Sequence, residues 1–526
     1  MQLAAIVAMG LTLVTAAAAA QTFDTVHIFR STSSTLPGMR AAFTQGSYEL
    51  RDATLVDLIR AAWNVPSQNV TGGPQWLDTQ RFDVVAKTRP AASEDQLHAM
   101  LQRLLEDRFG LSVHSQNVGE LAYTMTVRPG MRIHRASPDD APGCVLQSSA
   151  RLPNPPGFTQ PAVTLNCRNT TAAAFAAALA GLREASGYLF NYPVLDRTGL
   201  QGTWNFRLTW TSRNAWHPDP LTTDGTTLFD AMQKQLGMPL ALSRVPGTVI
   251  VVDGAREPGT EASPPAPTRF DNADITPDDS NSTPPPCGHI DIQPGGRVLI
   301  NMTLRSMLLE TQGDSGSHDF VGDTRFLDTP CWRIRAQAPV ADAALRGWSG
   351  VLWNGVDIGS LRVMLRALLN DRFRLVTHTG QRPVSGFALV AANPVLRKAA
   401  PSNRSGCEEG PGIKSWDPDW KDPRFANPLA SRLVTCRNVT LSEFAQALNE
   451  SMTGAGGPLM DGTGLPGRYD ISINFSPDTT ATRGRTGIVP FSQALTTQLG
   501  LQLQPTTVAS SVLVIDRVEE APTPRP

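Results

Sequence analysis

The sequence predicts an α+β protein made by tandem duplication, each copy two small lobes in which short helices pack on a largely antiparallel sheet. Three observations predict it. The stretch MLQRLLEDRFGLSVH (100–114) returns as MLRALLNDRFRLVTH (364–378), so residues kept in both copies report what the fold needs. Around each of these stretches, apolar residues run first with a helical period and then with a period of two. Between the copies, 255–286 is rich in Pro, Ser, Thr and Asp, shows no apolar period and reads as a linker.

The chain opens on MQLAAIVAMGLTLVTAAAAAQ, where an apolar run from Leu3 to Val14 is followed by small residues up to Ala20. That is the layout of a secretory signal peptide over 1–20, although no Lys or Arg precedes the apolar run. An uncleaved anchor is the alternative, against which the run is short for a bilayer span of about 20 residues. No later segment approaches that length, so no transmembrane segment is expected after signal removal. Copy one then occupies 25–254, copy two 287–518 and a short tail 519–526.

Within each copy the elements follow one order. Leu55, Leu58, Ile59 and Ala62 form a helical stripe behind the N-cap Thr54, matched by Leu304, Met307 and Leu308 behind Thr303. FDVVAK (82–87) and WRIRAQ (332–337) read as strands. The repeated helix carries Leu97, Met100, Leu101, Leu104 and Leu105, matched at one offset by Leu361, Met364, Leu365, Leu368 and Leu369, which marks a buried face kept in both copies. The second lobe follows with a helix on Phe175 and Leu179, or Phe444 and Leu448. Alternating strands come next, WNFRLTW (204–210) or YDISINF (469–475). A last helix ends at Gly237 or Gly500, a natural C-cap, before the closing strands TVIVVD (248–253) and SVLVID (511–516).

At 526 residues, with 46 basic and 47 acidic side chains and no basic block, the chain can bury sizeable cores and lacks an electrostatic footprint for nucleic acid or an anionic membrane. Six cysteines fit an oxidising compartment. Cys144 and Cys407 each follow a glycine, and Cys167 and Cys436 each open Cys-Arg-Asn, so the copies predict Cys144 with Cys167 and Cys407 with Cys436. Each bridge closes a loop of roughly 25 to 30 residues, worth on the order of 3 kcal/mol. Cys287 and Cys331 pair by elimination. No Cys-x-x-Cys occurs and the histidines do not gather near the cysteines, so no metal site is expected.

Assembled, these segments resemble the soil-associated acidobacterial family of exported proteins defined by a domain of unknown function. The likeness rests on GGPQWLDTQRFDVVAK (72–87), LLEDRFGLSVH (104–114), VLDRTGLQGTWNFRLTW (194–210) and LFDAMQKQLGMPL (228–240). Copy two repeats it with LLNDRFRL (368–375), DGTGLPGRYDISINF (461–475) and SQALTTQLGLQLQP (492–505). The resemblance implies export and supplies no catalytic residues. Some relatives join similar domains to membrane-bound metallopeptidase sensors of the β-lactam-sensing type, but this sequence has no H-E-x-x-H. The second lobe also faintly resembles the small N-terminal domain of secretins and TonB receptors, an analogy of fold alone.

Several residues are candidates for chemistry. Asp196-Arg197-Thr198-Gly199 and Asp461-Gly462-Thr463-Gly464 suggest the paired Asp-Thr-Gly loops of a bilobal aspartic protease. An extra residue separates Asp from Thr, however, and both segments lead into a strand as a Gly-bearing turn should. Arg108 and Arg372, in the repeated Asp-Arg-Phe, are candidate anion ligands, against a plainer role anchoring the helix end while Phe109 and Phe373 fill the core. His114 and His378 recur without a nucleophile motif beside them. Trp216, Trp416 and Trp420 fall in Pro- and Asp-rich loops, where aromatics serve as binding anchors or as packing for a flap. No phosphate-cradling or dinucleotide fingerprint is present, so no cofactor is expected. The sequence thus points to a periplasmic or secreted binding or protein-interaction module of the cell envelope. The alternative is an extracytoplasmic hydrolase acting on a peptide or polymer.

Overall fold

The computed structural model of the chain describes residues 22–31, 39–44, 46–89, 92–137, 141–148, 162–213, 225–262, 267–278, 287–312, 320–339, 352–353, 356–399, 404–451, 457–477 and 487–523. The expected signal peptide and Trp216 lie outside them. In copy one, strands β1 (Thr25–Arg30), β2 (Arg40–Thr44), β3 (Ser47–Thr54), the short β4 (Val70–Gly72) and β5 (Arg81–Lys87) alternate with helices α1 (Leu55–Trp63) and α2 (Glu94–Phe109). The first lobe is an antiparallel sheet in the order β1-β5-β3-β2. Both helices cover it. Helix α1 starts in a capping box, where Thr54 Oγ1 accepts from Asp57 N–H and the Asp57 carboxylate accepts from Thr54 N–H. Helix α2 does the same with Ser93 and Gln96 and ends on the left-handed Gly110. Its buried stripe, Leu97, Met100, Leu101, Leu104, Leu105 and Phe109, meets Ile28, Leu50, Phe82 and Val84 of the sheet. Each fully buried apolar side chain contributes roughly 1.5–3 kcal/mol.

The strand after α2 is the spine of the copy. Strand β6 (Ser112–Met125) pairs antiparallel with the last strand of the copy, Leu240–Gly254, from Ser112 opposite Gly254 to Met125 opposite Leu240. One end of this ribbon sits in the first lobe, with Ile250 and Val252 in its core. The other end gives Tyr123 and Met125 to the second lobe. Strand β4 runs parallel along one edge, with Val70 opposite Ile250. At the end of β4, Gly72 (φ 70°) comes so close to the ribbon that a Cβ would lie 2.7 Å from the Val252 carbonyl oxygen.

The second lobe comprises β7 (His134–Arg135), β8 (Gly143–Ser148), β9 (Ala162–Thr170), α3 (Ala172–Gly181), α4 (Arg183–Leu189), β10 (Val194–Asp196), β11 (Trp204–Thr211) and α5 (Leu228–Ala231). The spine strand Leu240–Gly254 follows as β12. Strand β10 lies parallel on the other edge of the ribbon, beside β6. The sheet, β7-β11-β9-β8, packs Leu208 and Trp210 against Phe175, Leu179, Leu228 and Met232. Helix α5 continues into a π-helical turn, Met232–Leu236, before Gly237 (φ 73°). This widened turn sets Gln235 beside β11, where its amide accepts from Thr209 N–H (2.9 Å) and donates to the Thr209 carbonyl (2.6 Å). Gln498 does the same at Asn474 in copy two (3.0 and 2.6 Å).

Copy two repeats the plan: a four-stranded sheet under two helices, a long ribbon (Val376–Ala391 with Leu501–Arg517) and a second four-stranded sheet. Largely antiparallel sheets with short helices, duplicated, make the chain α+β. The structure departs from the sequence expectation at the linker. Within 255–286, Asn272–Pro277 is the first strand of copy two, antiparallel to Trp332–Gln337, with Ala273 and Ile275 buried. Only two apolar residues alternate there, too few to stand out from the surrounding Pro and Asp. The segment before it is pinned to copy one, where Glu261 N–H donates to the Ile28 carbonyl (2.8 Å). The tail is held as well, since Glu519 N–H donates to the Phe373 carbonyl (2.8 Å) and Thr523 N–H to that of Arg372 (2.7 Å).

Candidate functional site: a cleft between the copies

The two copies meet where a flap of copy two lies on copy one. The flap follows the hairpin strand Gly406–Glu409 and returns through a 3-10 turn, Gly412–Trp416, and a short helix, Pro423–Ala426, to Arg432–Val439. The Phe425 ring stacks on Tyr192 (6.1 Å, 10°) and meets Phe190 edge-on (5.3 Å). Beside them, Arg424 and Asp422 form a buried ion pair (2.6 Å), and the Arg424 guanidinium lies 4.9 Å from the centre of the Phe190 ring. Tyr192 donates its hydroxyl to Asp422 Oδ2 (3.0 Å). Burial and that carboxylate push the Tyr192 phenol above its ordinary pKa. Arg244, on β12, donates to the carbonyls of Gly119 (3.0 Å), Ser415 (2.8 Å) and Asp417, clamping the flap to the ribbon of copy one. Arg404 reaches the Val70 carbonyl and approaches Asp78 (3.4 Å).

Between flap and ribbon lies a cleft of about 400 Å³, a size suited to a small molecule or one side chain of a polymer. Copy one lines it with Asn69, Glu120, Tyr192 and Leu195, and copy two with Glu408, Glu409, Ser415 and Trp416, among others. Glu120 stands mid-ribbon, folded over Gly247, where any Cβ would collide with its side chain. Asn69 donates its amide to Glu120 Oε1 and to the Thr248 carbonyl (3.0 Å). Burial raises the Glu120 pKa above the ordinary carboxylate value, and the Asn69 hydrogen bond works against it. Burial also raises Glu408, opposed by the Arg437 and Arg404 guanidiniums. Glu409 is paired with the buried Arg432 (2.9 Å). Among the described residues no group of His, Cys, Asp or Glu is disposed to hold a metal ion.

Of the residues singled out from sequence, Trp416 lines this cleft, and Trp420 packs against the second-lobe core of copy one. Arg108 is exposed at the end of α2. Arg372 donates to the carbonyls of Thr523 (2.7 Å) and Ala273 (3.3 Å), tying strand and tail to the helix end. Asp196 and Asp461 each close their own turn. The Asp196 Oδ1 accepts from Thr198 N–H (2.8 Å) and Oγ1 (2.7 Å), and that of Asp461 accepts from Thr463 N–H (2.9 Å) and Oγ1 (2.8 Å). His114 and His378 face Asp253 (2.9 Å) and Asp516 (2.8 Å) on the exposed ribbons. Disulfides join Cys144 to Cys167, Cys287 to Cys331 and Cys407 to Cys436.

Sequence reasoning missed Glu120, Glu408, Asn69, Arg244 and the Asp422–Arg424 pair. A signal for the carboxylates exists in the duplication. Counting from the shared His114 and His378, Glu120 stands where copy two has Val384. Counting from Cys144 and Cys407, Glu408 and Glu409 stand where copy one has Val145 and Leu146. The cleft acids are therefore specific to one copy each.

No curated protein and no solved structure matches the chain. The family described as a protein of unknown function, DUF3738, matches residues 56–255 and 315–518, once in each copy and over most of the length, and the chain belongs to that family.

Proposed function

We propose that this chain is a binding module of the cell envelope, exported from a soil acidobacterium, in which the two copies build one recognition cleft. The observation that carries the reading is the cleft itself, lined from both copies and carrying Glu120 and Glu408 at positions where the sister copy has valine. Export is supported by the three disulfides and by the apolar N-terminal run. Among the described residues, no helix is long and apolar enough to cross a membrane. The second reading, an extracytoplasmic hydrolase acting on a peptide or polymer, draws on Glu120 and Glu408, two carboxyls raised by burial in one cleft, as a general acid requires.

The test compares the full chain with Ala180→Phe, which projects a ring from α3 into the cleft, as baits for an envelope extract. A species retained by the parent protein and lost from the variant is the expected result. An identical set on both baits, or no enriched species, contradicts the reading. Turnover of a peptide or polymer by the parent and not by the variant favours the hydrolase.

A further inference from the structure

Resting on the cleft as a binding site, we infer that its ligand is an organic cation that brings N–H donors, a primary ammonium, held by Glu120 against Trp416. The charged residues that line the cleft are carboxylates: Glu120, Glu408 and Glu409. Glu409 is matched by Arg432, and Glu408 faces Arg404 and Arg437. Glu120 differs, because the chain meets it with the uncharged Asn69 amide. A half-buried carboxylate facing a cleft, with no cation paired to it among the described residues, is a site for one brought by a ligand.

The hydrogen-bond inventory points the same way. Asn69 is 2% exposed and both of its amide hydrogen bonds are donated, while its Oδ1 receives none. Glu408 Oε1 is buried and receives none either. Two acceptors beside the cleft are thus left without a donor, and an ammonium is a donor-only group. Trp416 supplies a half-buried aromatic wall of the kind on which alkylammonium groups rest. A metal ion would need a set of ligating side chains that the described residues do not gather. Finally, Glu120 replaces the valine of the sister copy, so the fold has no need of a carboxylate at that point of the ribbon.

Calorimetric titration of the full chain tests this with matched probes: cadaverine as a free amine, N-acetyl-lysine N-methylamide as a peptide-borne one, 1,5-pentanediol as the neutral isostere and glutarate as the anion. Binding of at least one amine, with the diol and glutarate at least about tenfold weaker, is expected. Which amine binds tells a free ligand from a lysine side chain. Glu120→Gln and Glu120→Val, the latter borrowing the residue of the sister copy, should each weaken the amine by about tenfold or more. Trp416→Ala should weaken it severalfold, and Arg108→Ala should leave it unchanged. Equal binding of amine and diol, no binding of either amine, or full affinity in folded Glu120→Gln overturns the inference. Cellobiose binding that Ala180→Phe abolishes, without amine binding, overturns the cation while leaving the cleft as a binding site. Failure of every probe together with an unchanged capture profile overturns both.

Discussion

Replacing Arg424 by methionine should lower the unfolding free energy by about 3–5 kcal/mol, because it leaves the Asp422 carboxylate buried without its cation. Asp422 and Arg424 are both buried, and the pair is bidentate, with Arg424 Nε 3.0 Å from Oδ1 and Nη2 2.6 Å from Oδ2. Asp422 also accepts from Arg424 N–H (2.9 Å) and the Tyr192 hydroxyl, so its lone pairs are engaged. The cost therefore comes from the stranded charge, and Asp422→Asn added to Arg424→Met should recover a large part of it. Urea unfolding followed by circular dichroism measures both. A loss below about 1 kcal/mol for Arg424→Met would show the pair to be solvated and the flap loosely held.

Phe109→Ala and Phe373→Ala should each cost about 3–5 kcal/mol, the usual penalty for emptying a buried aromatic site. Both rings are fully buried at the end of the repeated helix. Phe109 meets Phe82 edge-on at 5.3 Å, and Phe373 meets Trp332 at 5.2 Å. The neighbours in the motif should behave differently. Asp107 pairs with Arg103 at the surface (3.1 Å), so Asp107→Ala should stay within about 0.5 kcal/mol. Arg372→Ala should cost about 1–2 kcal/mol, through its two carbonyl partners, and exceed Arg108→Ala. Thermal unfolding of the set checks this ranking. A large loss on Arg108→Ala, with no loss on Phe109→Ala, would give the motif a role other than filling the core.

The parts of the fold legible in the sequence are those where burial imposes a period. Leu97 to Leu105 and Leu361 to Leu369 are buried in both copies, so their spacing is readable. The closing strand was visible only in its apolar half, TVIVVD. The preceding half of β12, from Leu240, buries only Val245 and carries no alternation to read. The π-helical turn leaves no trace either, since Leu228, Met232 and Leu236 fit an ordinary helix equally well. The cleft was hidden for a different reason. Identity between copies reports what each fold needs, whereas Glu120 opposite Val384, or Glu408 opposite Val145, is a difference. Such differences gain meaning only once the flap is seen to bring Glu408 and Trp416 of copy two beside the ribbon of copy one. Trp420, an aromatic in a polar loop where the sequence leaves anchor and flap packing both open, packs on the second-lobe core of copy one.

That the two copies are locked into one unit is tested most directly by a double-mutant cycle across their contact. Tyr192 of copy one donates to Asp422 of copy two at 3.0 Å in a buried setting. Unfolding free energies of the parent, Tyr192→Phe, Asp422→Ala and the double variant isolate that single bond, because the loss of the Arg424 pair cancels around the cycle. A coupling of about 1.5 kcal/mol or more is the result the interlocked structure predicts, as a hydrogen bond to a buried carboxylate should give. Additivity within about 0.5 kcal/mol would mean that the two residues do not meet, and would contradict a cleft assembled from both copies.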